Sequence, residues 1–194
     1  MKALLLILLA GTAQALEVKA PSPNSGNITP AAITVQGSTF TVATTGIVSA
    51  PSQPATKASI ATAHSLASGA TVDIFFGNES SPNFDRQNMH DATNSSNTFT
   101  ARGAGIYLLN CTIRFNNEAS AGQREVMVKD GAGTVTYAYS QSVYPILFPS
   151  VTATSIASLN DGDTVKCQAA QGSGSTVTLV ANEGSTHFSM VKLW

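Results

Sequence analysis

Residues 97–115, NTFTARGAGIYLLNCTIRF, contain the pattern that decides the fold of this chain. From the tyrosine onward every second residue is apolar: Tyr107, Leu109, Cys111, Ile113 and Phe115. Polar residues stand at alternate positions between them: Asn110, Thr112 and Arg114. A period of two residues is typical of a β-strand that is buried on one face. The stretch therefore predicts one long core strand that follows a glycine-containing turn.

The composition excludes one class of partner and favours one class of fold. The chain has 194 residues, with ten Lys and Arg against eleven Asp and Glu, which gives a net charge of −1. Because no basic field is available to hold a phosphate backbone, we expect no nucleic-acid partner. Only 11% of the residues are charged while 43% are hydrophobic. Low charge together with many β-branched residues favours strands over surface helices.

The first residues, 1–16, form a signal-like apolar segment, MKALLLILLAGTAQAL. Lys2 precedes a short apolar run, and Ala13-Gln14-Ala15 matches the small-residue site at which secretory signals are cut. The run is too short to span a bilayer. We expect cleavage after Ala15 and no membrane-bound segment in the mature protein.

Residues 17–55 are predicted to be an extended arm or linker. Five prolines interrupt this segment among Ser, Thr, Asn and Gly: Pro21, Pro23, Pro30, Pro51 and Pro54. Each proline fixes φ and removes a hydrogen-bond donor, which limits regular sheet structure. One better strand candidate, AAITVQGSTFTVAT, occupies residues 31–44 and allows one hairpin. The expected role of the arm is attachment.

Residues 56–194 read as one domain of short strands. Strand-like runs recur at regular spacing, separated by Gly, Asn, Asp or Ser, and KDGAG predicts a hairpin at Asp130-Gly131. No segment after the signal-like segment has a helical period. Strands at this spacing without intervening helices predict an all-β fold, an antiparallel sandwich or jelly roll.

Four segments of this domain resemble, in order, the signature elements of the C1q/TNF-like jelly rolls. Phe99-Thr100 followed by Gly105-Ile106-Tyr107 is similar to the family's central F-T and G-x-Y element. The other three are TVDIFFGNESSPNFD (71–85), SLNDGDTVKCQA (158–169) and STHFSMVKLW (185–194). The chain departs from the family at Leu109 and Cys111, where aromatic residues are favoured, and no collagen-like stalk precedes the domain. It looks more like the stalkless C1q-like modules of bacteriophage virion proteins and some bacterial proteins.

The resemblance implies a trimer around a three-fold axis, and the last strand supports this independently. In HFSMVKLW, Phe188 and Met190 share one face while Val191 and Leu193 share the other. A strand of a solitary sandwich normally keeps one face in water. We therefore predict that the second face is buried in a neighbouring subunit, and we assign Phe99, Tyr107, Phe188, Met190, Val191 and Leu193 to the core and trimer contact. The alternative is that the terminal residues fold over the end of the sandwich.

Few residues suggest chemistry. Cys111 and Cys167 lack any metal or redox spacing, so two buried thiols are favoured, with a disulfide as the alternative if the protein is exported. Asp161 and Asp163 are a weak Ca²⁺ candidate, and a tight turn at Gly162 is the favoured interpretation.

No catalytic motif is recognisable, and we expect no enzyme activity, no catalytic residue, no cofactor and no metal. The three histidines, His64, His90 and His187, are scattered among small or polar residues. They are expected on the surface or in loops.

Three functions remain at this stage. The first is a non-enzymatic trimeric structural protein of a bacteriophage particle, a capsid decoration, cement or fibre protein attached to capsid or other virion proteins through residues 17–55. The alternative is a secreted bacterial module that presents jelly-roll loops to a glycan or cell-surface ligand. A secreted hydrolase on a β-sandwich is a weaker third hypothesis. The corresponding locations are the virion and the extracellular space.

Overall fold

The computed structural model describes residues 53–80, 82–94, 96–116, 121–144, 150–182 and 184–194, and the backbone of 32–35, 38–42 and 48–49. The chain divides into two compact units, Met1–Gln53 and Pro54–Trp194. The signal-like segment, residues 1–16, lies outside the described residues. Within the described ranges, no helix is long and apolar enough to cross a membrane.

The N-terminal unit contains a small antiparallel sheet. Its strands are β1 (Ala32–Val35), β2 (Ser38–Val42) and β3 (Val48–Ser49), in the order β1-β2-β3. The register pairs Ile33 with Phe40. The strand candidate at 31–44 therefore forms the predicted hairpin, and β3 is an additional strand.

The C-terminal unit is built from strands. They are β4 (Ala55–Ser59), β5 (Ser65–Leu66), β6 (Thr71–Asp73), β7 (Phe84–Arg86), β8 (Thr98–Thr100), β9 (Gly105–Arg114), β10 (Gly122–Asp130), β11 (Thr136–Tyr144), β12 (Ser150–Leu159), β13 (Thr164–Gln171), β14 (Val177–Thr178) and β15 (His187–Lys192). The only helical turn among the described residues is a short 3-10 turn at Ala92–Asn94.

Two antiparallel sheets form the sandwich of this unit. The front sheet has the order β12-β9-β15-β4-β7, and the back sheet has the order β11-β10-β13-β6, with β8 also paired to β13. A two-stranded ribbon, β14-β5, accompanies them. Strands far apart in sequence are neighbours in both sheets, as in a jelly roll. The all-β antiparallel prediction is confirmed.

The core lies between the two sheets and follows the predicted alternation of β9. Tyr107, Leu109, Cys111, Ile113 and Phe115 are all fully buried. An aromatic cluster continues this core, in which the Phe99 and Phe188 rings stack at 4.3 Å and Phe76 lies 5.5 Å from Phe99. Burial of each such ring contributes about 2 to 3 kcal/mol, so these residues hold the sheets together.

The Gly-x-Tyr element closes the turn that leads into β9. The buried Tyr107 hydroxyl lies 2.8 Å from the Arg102 carbonyl and 2.7 Å from the Gly103 carbonyl and donates to them. Burial raises the pKa of this hydroxyl, which keeps it protonated as a donor. A Cβ at Gly105 would overlap the backbone of Trp194. The glycine is therefore required because the end of the chain passes directly beside it.

A disulfide joins the two sheets. Cys111 of β9 is bonded to Cys167 of β13, with a Cα–Cα distance of 6.2 Å, and both side chains are fully buried. The favoured expectation of two buried thiols is therefore wrong. Each cysteine occupies a position of its strand that points into the core. The two strands face each other across the core, which brings the sulfur atoms together.

The predicted hairpin at Asp130-Gly131 joins β10 to β11. The Asp130 carboxylate accepts hydrogen bonds from the Thr134 hydroxyl at 2.7 Å and the Val135 amide at 2.8 Å. These hydrogen bonds, of which the one from Thr134 has the largest effect, hold the pKa of Asp130 below its ordinary value. The Asp130 side chain thus closes the turn that the sequence predicts at this position.

A charged network ties β6 to β13 at one side of the back sheet. The Asp73 carboxylate accepts from Lys166 Nζ at 3.1 Å, Gln168 Nε2 at 2.7 Å and Asn97 Nδ2 at 2.8 Å. Burial opposes ionisation of Asp73, but the hydrogen bonds from Gln168, Lys166 and Asn97 outweigh it and lower its pKa below the ordinary 3.8. The network therefore contributes stability only while Asp73 is ionised.

Asp73→Asn is expected to lower the free energy of unfolding by about 1 kcal/mol at neutral pH. Because the folded-state pKa is lowered, this contribution is present above pH 3.8 and is lost as the pH falls through the folded-state pKa. The two proteins should thus converge in strong acid. Urea unfolding of both proteins from neutral to acid pH measures the difference, and a difference independent of pH would contradict the assignment.

Candidate functional site

The outward side of the front sheet carries an apolar patch, formed by Ile106, Leu108, Ile156, Val191 and Leu193. The register places Leu108 of β9 between Ile156 of β12 and Val191 of β15. Leu193 continues the alternation of β15, and its amide donates to the Ile106 carbonyl at 2.7 Å. Ile156 is 62% exposed, which is unusual for a branched apolar side chain flanked by other apolar groups.

The other half of the same side is polar. Asn110 Nδ2 donates to the Thr154 hydroxyl at 2.8 Å, and the hydroxyls of Thr112 and Thr152 lie 3.0 Å apart. These side chains bond to one another across β9 and β12. The apolar patch is therefore confined to one end of the sheet.

The residues assigned to the core and trimer contact separate into two groups. Four are buried inside the subunit: Phe99, Tyr107, Phe188 and Met190. Val191 and Leu193 lie on the opposite side of the sheet and are partly exposed. The structure thus brings only these two to the surface where a neighbouring subunit would bind. The trimer contact itself stays a prediction.

Sequence reasoning missed three members of the apolar patch, Ile106, Leu108 and Ile156. Ile106 and Leu108 occupy the positions of β9 that alternate with its buried residues. The sequence therefore contained a signal for the apolar patch, namely two apolar residues at outward positions of one strand. Ile156 has the same parity as the exposed threonines of β12, Thr152 and Thr154.

A second apolar surface lies on the back sheet and is called the edge patch here. It consists of Tyr139 and Val143 of β11, which are 51% and 70% exposed. Within the described residues β11 pairs only with β10, and no described strand pairs with its other edge. Such an edge is usually covered by another chain or segment.

His187 stands in the polar half of the front sheet. It lies between Thr112 of β9 and Ser59 of β4. Its Nδ1 atom is buried and has no hydrogen-bond partner among the described residues. Burial, and then the charge of Lys57, lower the pKa of His187. The ring is therefore favoured in its neutral form in the isolated subunit.

His90 was expected on the surface or in a loop, and this expectation is wrong. Its side chain is fully buried, and its ring stacks on Phe99 at 4.2 Å. Nδ1 lies 2.7 Å from a Glu79 carboxylate oxygen, and Nε2 lies 3.1 Å from the Ser96 carbonyl. Both ring nitrogens therefore lie within hydrogen-bond distance of an oxygen atom. His64, by contrast, is only partly buried and stacks on the exposed Phe75 at 6.0 Å.

Replacing His90 with alanine is expected to lower the free energy of unfolding by about 2 to 3 kcal/mol, because a buried ring and two hydrogen bonds are lost. His64→Ala is the matched control and should cost about 0.5 kcal/mol, since its ring is partly exposed. Chemical unfolding at neutral pH compares the two variants. Equal losses would show that His90 is not part of the core.

A polar groove of about 620 Å³ opens beside His90. Its lining includes Glu79, Asp85, Asn88, His90, Thr100 and Arg102. The Asp85 carboxylate accepts from the Met89 amide at 2.9 Å and the His90 amide at 3.2 Å, which fixes the loop that forms one wall.

The Asp161-Gly162-Asp163 segment forms the tight turn that the sequence favours. Gly162 has φ +85°, a left-handed conformation suited to glycine. Asp161 accepts from the Gly103 amide at 2.6 Å, and Asp163 accepts from the Asn160 amide at 2.8 Å. Asp163 therefore closes the turn, and Asp161 ties the turn to the loop that precedes β9. Among the described residues, no cluster of three or more His, Cys, Asp or Glu side chains is arranged to hold a metal.

Comparison with known proteins gives structural similarity without sequence similarity. No family model matches the chain, and no curated protein matches its sequence. The chain is similar to the crystal structure of murine APRIL at pH 8.5, with a TM-score of 0.53 and 13% identity over 73% of this chain and 99% of that chain. It is also similar to Eiger TNF from S. frugiperda, with a TM-score of 0.51 and 14% identity over 73% of this chain and 93% of that chain. At these identities the likeness concerns the fold, and the chain has an all-β, TNF-like jelly-roll fold.

Proposed function

We propose that this chain is a non-enzymatic protein that works as a homotrimer, with the apolar patch as the contact between subunits. The observation that carries the proposal is the continuous row Ile156, Leu108 and Val191 on the outward side of the front sheet. Apolar surface of this kind gains about 25 cal/mol for each Å² removed from water. Another copy of the same chain is the one partner that is present wherever this chain is made, so we take it as the occupant of the apolar patch.

Two different apolar surfaces favour a closed ring. The apolar patch lies on the front sheet, and the edge patch, Tyr139 and Val143, lies on the back sheet. A contact between unlike surfaces of identical subunits generates a ring when the rotation closes. The resemblance to C1q/TNF-like domains implies that the ring has three members. Such packing would also cover the edge of β11 that pairs with no described strand.

The first candidate for the biological role is a structural protein of a bacteriophage particle, a capsid decoration, cement or fibre protein in the virion. The resemblance of the domain to stalkless virion modules, the low charge and the proline-rich segment 17–55 support it. That segment would attach the trimer to capsid or other virion proteins. A trimer that binds only the assembled particle stabilises it by mass action.

The second candidate is an exported bacterial binding module, which the disulfide between Cys111 and Cys167 favours. Disulfides persist in oxidising compartments, and residues 1–16 resemble a secretory signal. A trimer would then supply avidity for a repeated surface ligand.

Two measurements on the full chain, expressed from its own start codon in bacteria, test these proposals. Sedimentation at micromolar concentration should give the mass of a trimer, and a monomer would contradict the homotrimer. N-terminal sequencing then separates the two roles. A mature chain that begins at Leu16 supports export, whereas an intact Met1 supports the particle protein.

A further inference from the structure

We propose that the polar groove beside His90 binds a neutral saccharide. This inference rests on the second candidate function, the binding module, and gives it a site and a ligand class. The groove is lined by residues of a single subunit. Binding there is therefore measured independently of trimer formation.

The groove is preorganised. Its volume, about 620 Å³, falls in the range typical of small-molecule sites. Asn88 in its wall and the preceding Gln87 have φ of +52° and +67°, a left-handed conformation that residues other than glycine adopt rarely. Arg102 holds this strained turn by donating to the carbonyls of both residues. Backbone strain that is held in place by neighbouring groups is common at binding sites.

The lining keeps solvent-accessible donors and acceptors that the described part of the protein does not use. Glu79 uses one carboxylate oxygen for His90, and its second oxygen has no partner within the part of the chain that the structure describes. The Thr100 hydroxyl and Arg102 Nη1 also lack a hydrogen-bond partner there, although the Thr100 amide and the other guanidinium nitrogens of Arg102 are bonded. The groove therefore offers an acceptor, a donor and a hydroxyl that serves as either.

The lining disfavours anions by its charge and quaternary ammonium groups by its lack of aromatic side chains. Glu79, Asp85 and Asp91 face the groove with Arg102, whose guanidinium is already engaged with backbone carbonyls, so an anion meets an excess of carboxylates. A quaternary ammonium group is normally held by open aromatic faces. No Phe, Tyr or Trp is among the residues that line the groove, and the His90 side chain is fully buried.

A sugar fits this lining better than an anion or a quaternary ammonium group. Each hydroxyl of a saccharide both donates and accepts, which matches the mixture of Glu79, Thr100 and Arg102. The groups that fix the loop are already bonded within the protein, because Asp85 accepts from the His90 amide and the His90 ring lies against Glu79 and the Ser96 carbonyl. They need no ligand to remain in place. The expected ligand is therefore an uncharged sugar bound by hydrogen bonds at a prearranged surface.

Titration of the full chain with defined sugars tests the inference. The probes are glucose, galactose, mannose, N-acetylglucosamine and their disaccharides, with N-acetylneuraminic acid and spermidine as the anionic and cationic comparisons. Two-dimensional NMR of amide groups should show saturable shifts at Met89 and His90 for at least one neutral sugar, with a Kd of about 1 mM. Absence of such shifts for every neutral probe, or stronger binding of either charged probe, overturns the inference.

Glu79→Gln and Thr100→Val should each weaken binding of that sugar by about tenfold, which corresponds to the loss of one hydrogen bond. Thr154→Val, in the polar half of the front sheet, is the matched control and should bind as the wild type does. Equal weakening by the control would also overturn the inference. Sedimentation of the same samples reports the trimer separately, so failure of the homotrimer is distinguishable from failure of the groove.

Discussion

Loss of the disulfide between Cys111 and Cys167 is expected to lower the free energy of unfolding by about 4 kcal/mol. The bond closes a loop with a sequence separation of 56 residues. In the chain-entropy description, a loop of this length restricts the unfolded chain by about 4 kcal/mol. For a domain of this size, the thermal midpoint should fall by roughly 10 to 15 °C.

The location of the bond explains why few other contacts would replace it. Cys111 is in the middle of β9 in the front sheet, and Cys167 is in β13 of the back sheet. The two sheets are otherwise joined across the core by apolar packing such as that of Phe99 on Phe188. Apolar packing re-forms with many partners in a collapsed chain, whereas the covalent bond fixes one pairing of β9 with β13.

The double variant Cys111→Ala/Cys167→Ala and chemical reduction of the wild type should give the same loss. Thermal and urea unfolding of the full chain, with and without a thiol reductant, measure both. The double variant is its own control because a reductant should not change its midpoint. A wild type whose midpoint is insensitive to complete reduction, confirmed by thiol titration, would contradict the prediction.

The sequence predicts those features that depend on local period and turn chemistry. The alternation in β9 placed Cys111 in the core, and Asp130-Gly131 located a hairpin, because each depends only on neighbours along the chain. The extent of β6 was harder to predict. The strand that begins the segment TVDIFFGNESSPNFD (71–85) ends at Asp73, because Phe76 N bonds to the Ser96 carbonyl instead of continuing along β13.

Features that depend on distant contacts were not predictable in this way. His90 follows Met89 and precedes Asp91, so its neighbours along the chain give no clear sign of burial. Its burial comes from Phe99 and Glu79, which only the fold brings near. The disulfide was not predictable for the same reason. The two-residue period of each strand orients its cysteine toward the core, but it does not show which strands face each other. The polar groove combines residues from Glu79 to Arg102 and has no local signature.

Ile156→Asp is expected to convert the trimer to monomers. Ile156 is 62% exposed in the isolated subunit, so the substitution alone should change the stability of a monomer by only about 0.5 kcal/mol. In the proposed trimer the same position is buried against apolar groups. An unpaired carboxylate there costs about 3 to 5 kcal/mol, and the cost recurs at each of the equivalent contacts.

Ser150→Asp is the matched control for this substitution. Ser150 is exposed, lies on the same strand and the same side as Ile156, and stands opposite Arg114 at the polar end of the sheet. Six residues of a strand separate the two positions by about 20 Å, so the control adds the same charge outside the apolar patch. Sedimentation at micromolar concentration should find the control trimeric and Ile156→Asp monomeric, with thermal unfolding showing that the monomer remains folded. If both variants remain trimers, the subunits do not meet at the apolar patch. If both variants dissociate, the added charge causes the dissociation, and the effect of Ile156→Asp does not report on a contact with Leu108 and Val191.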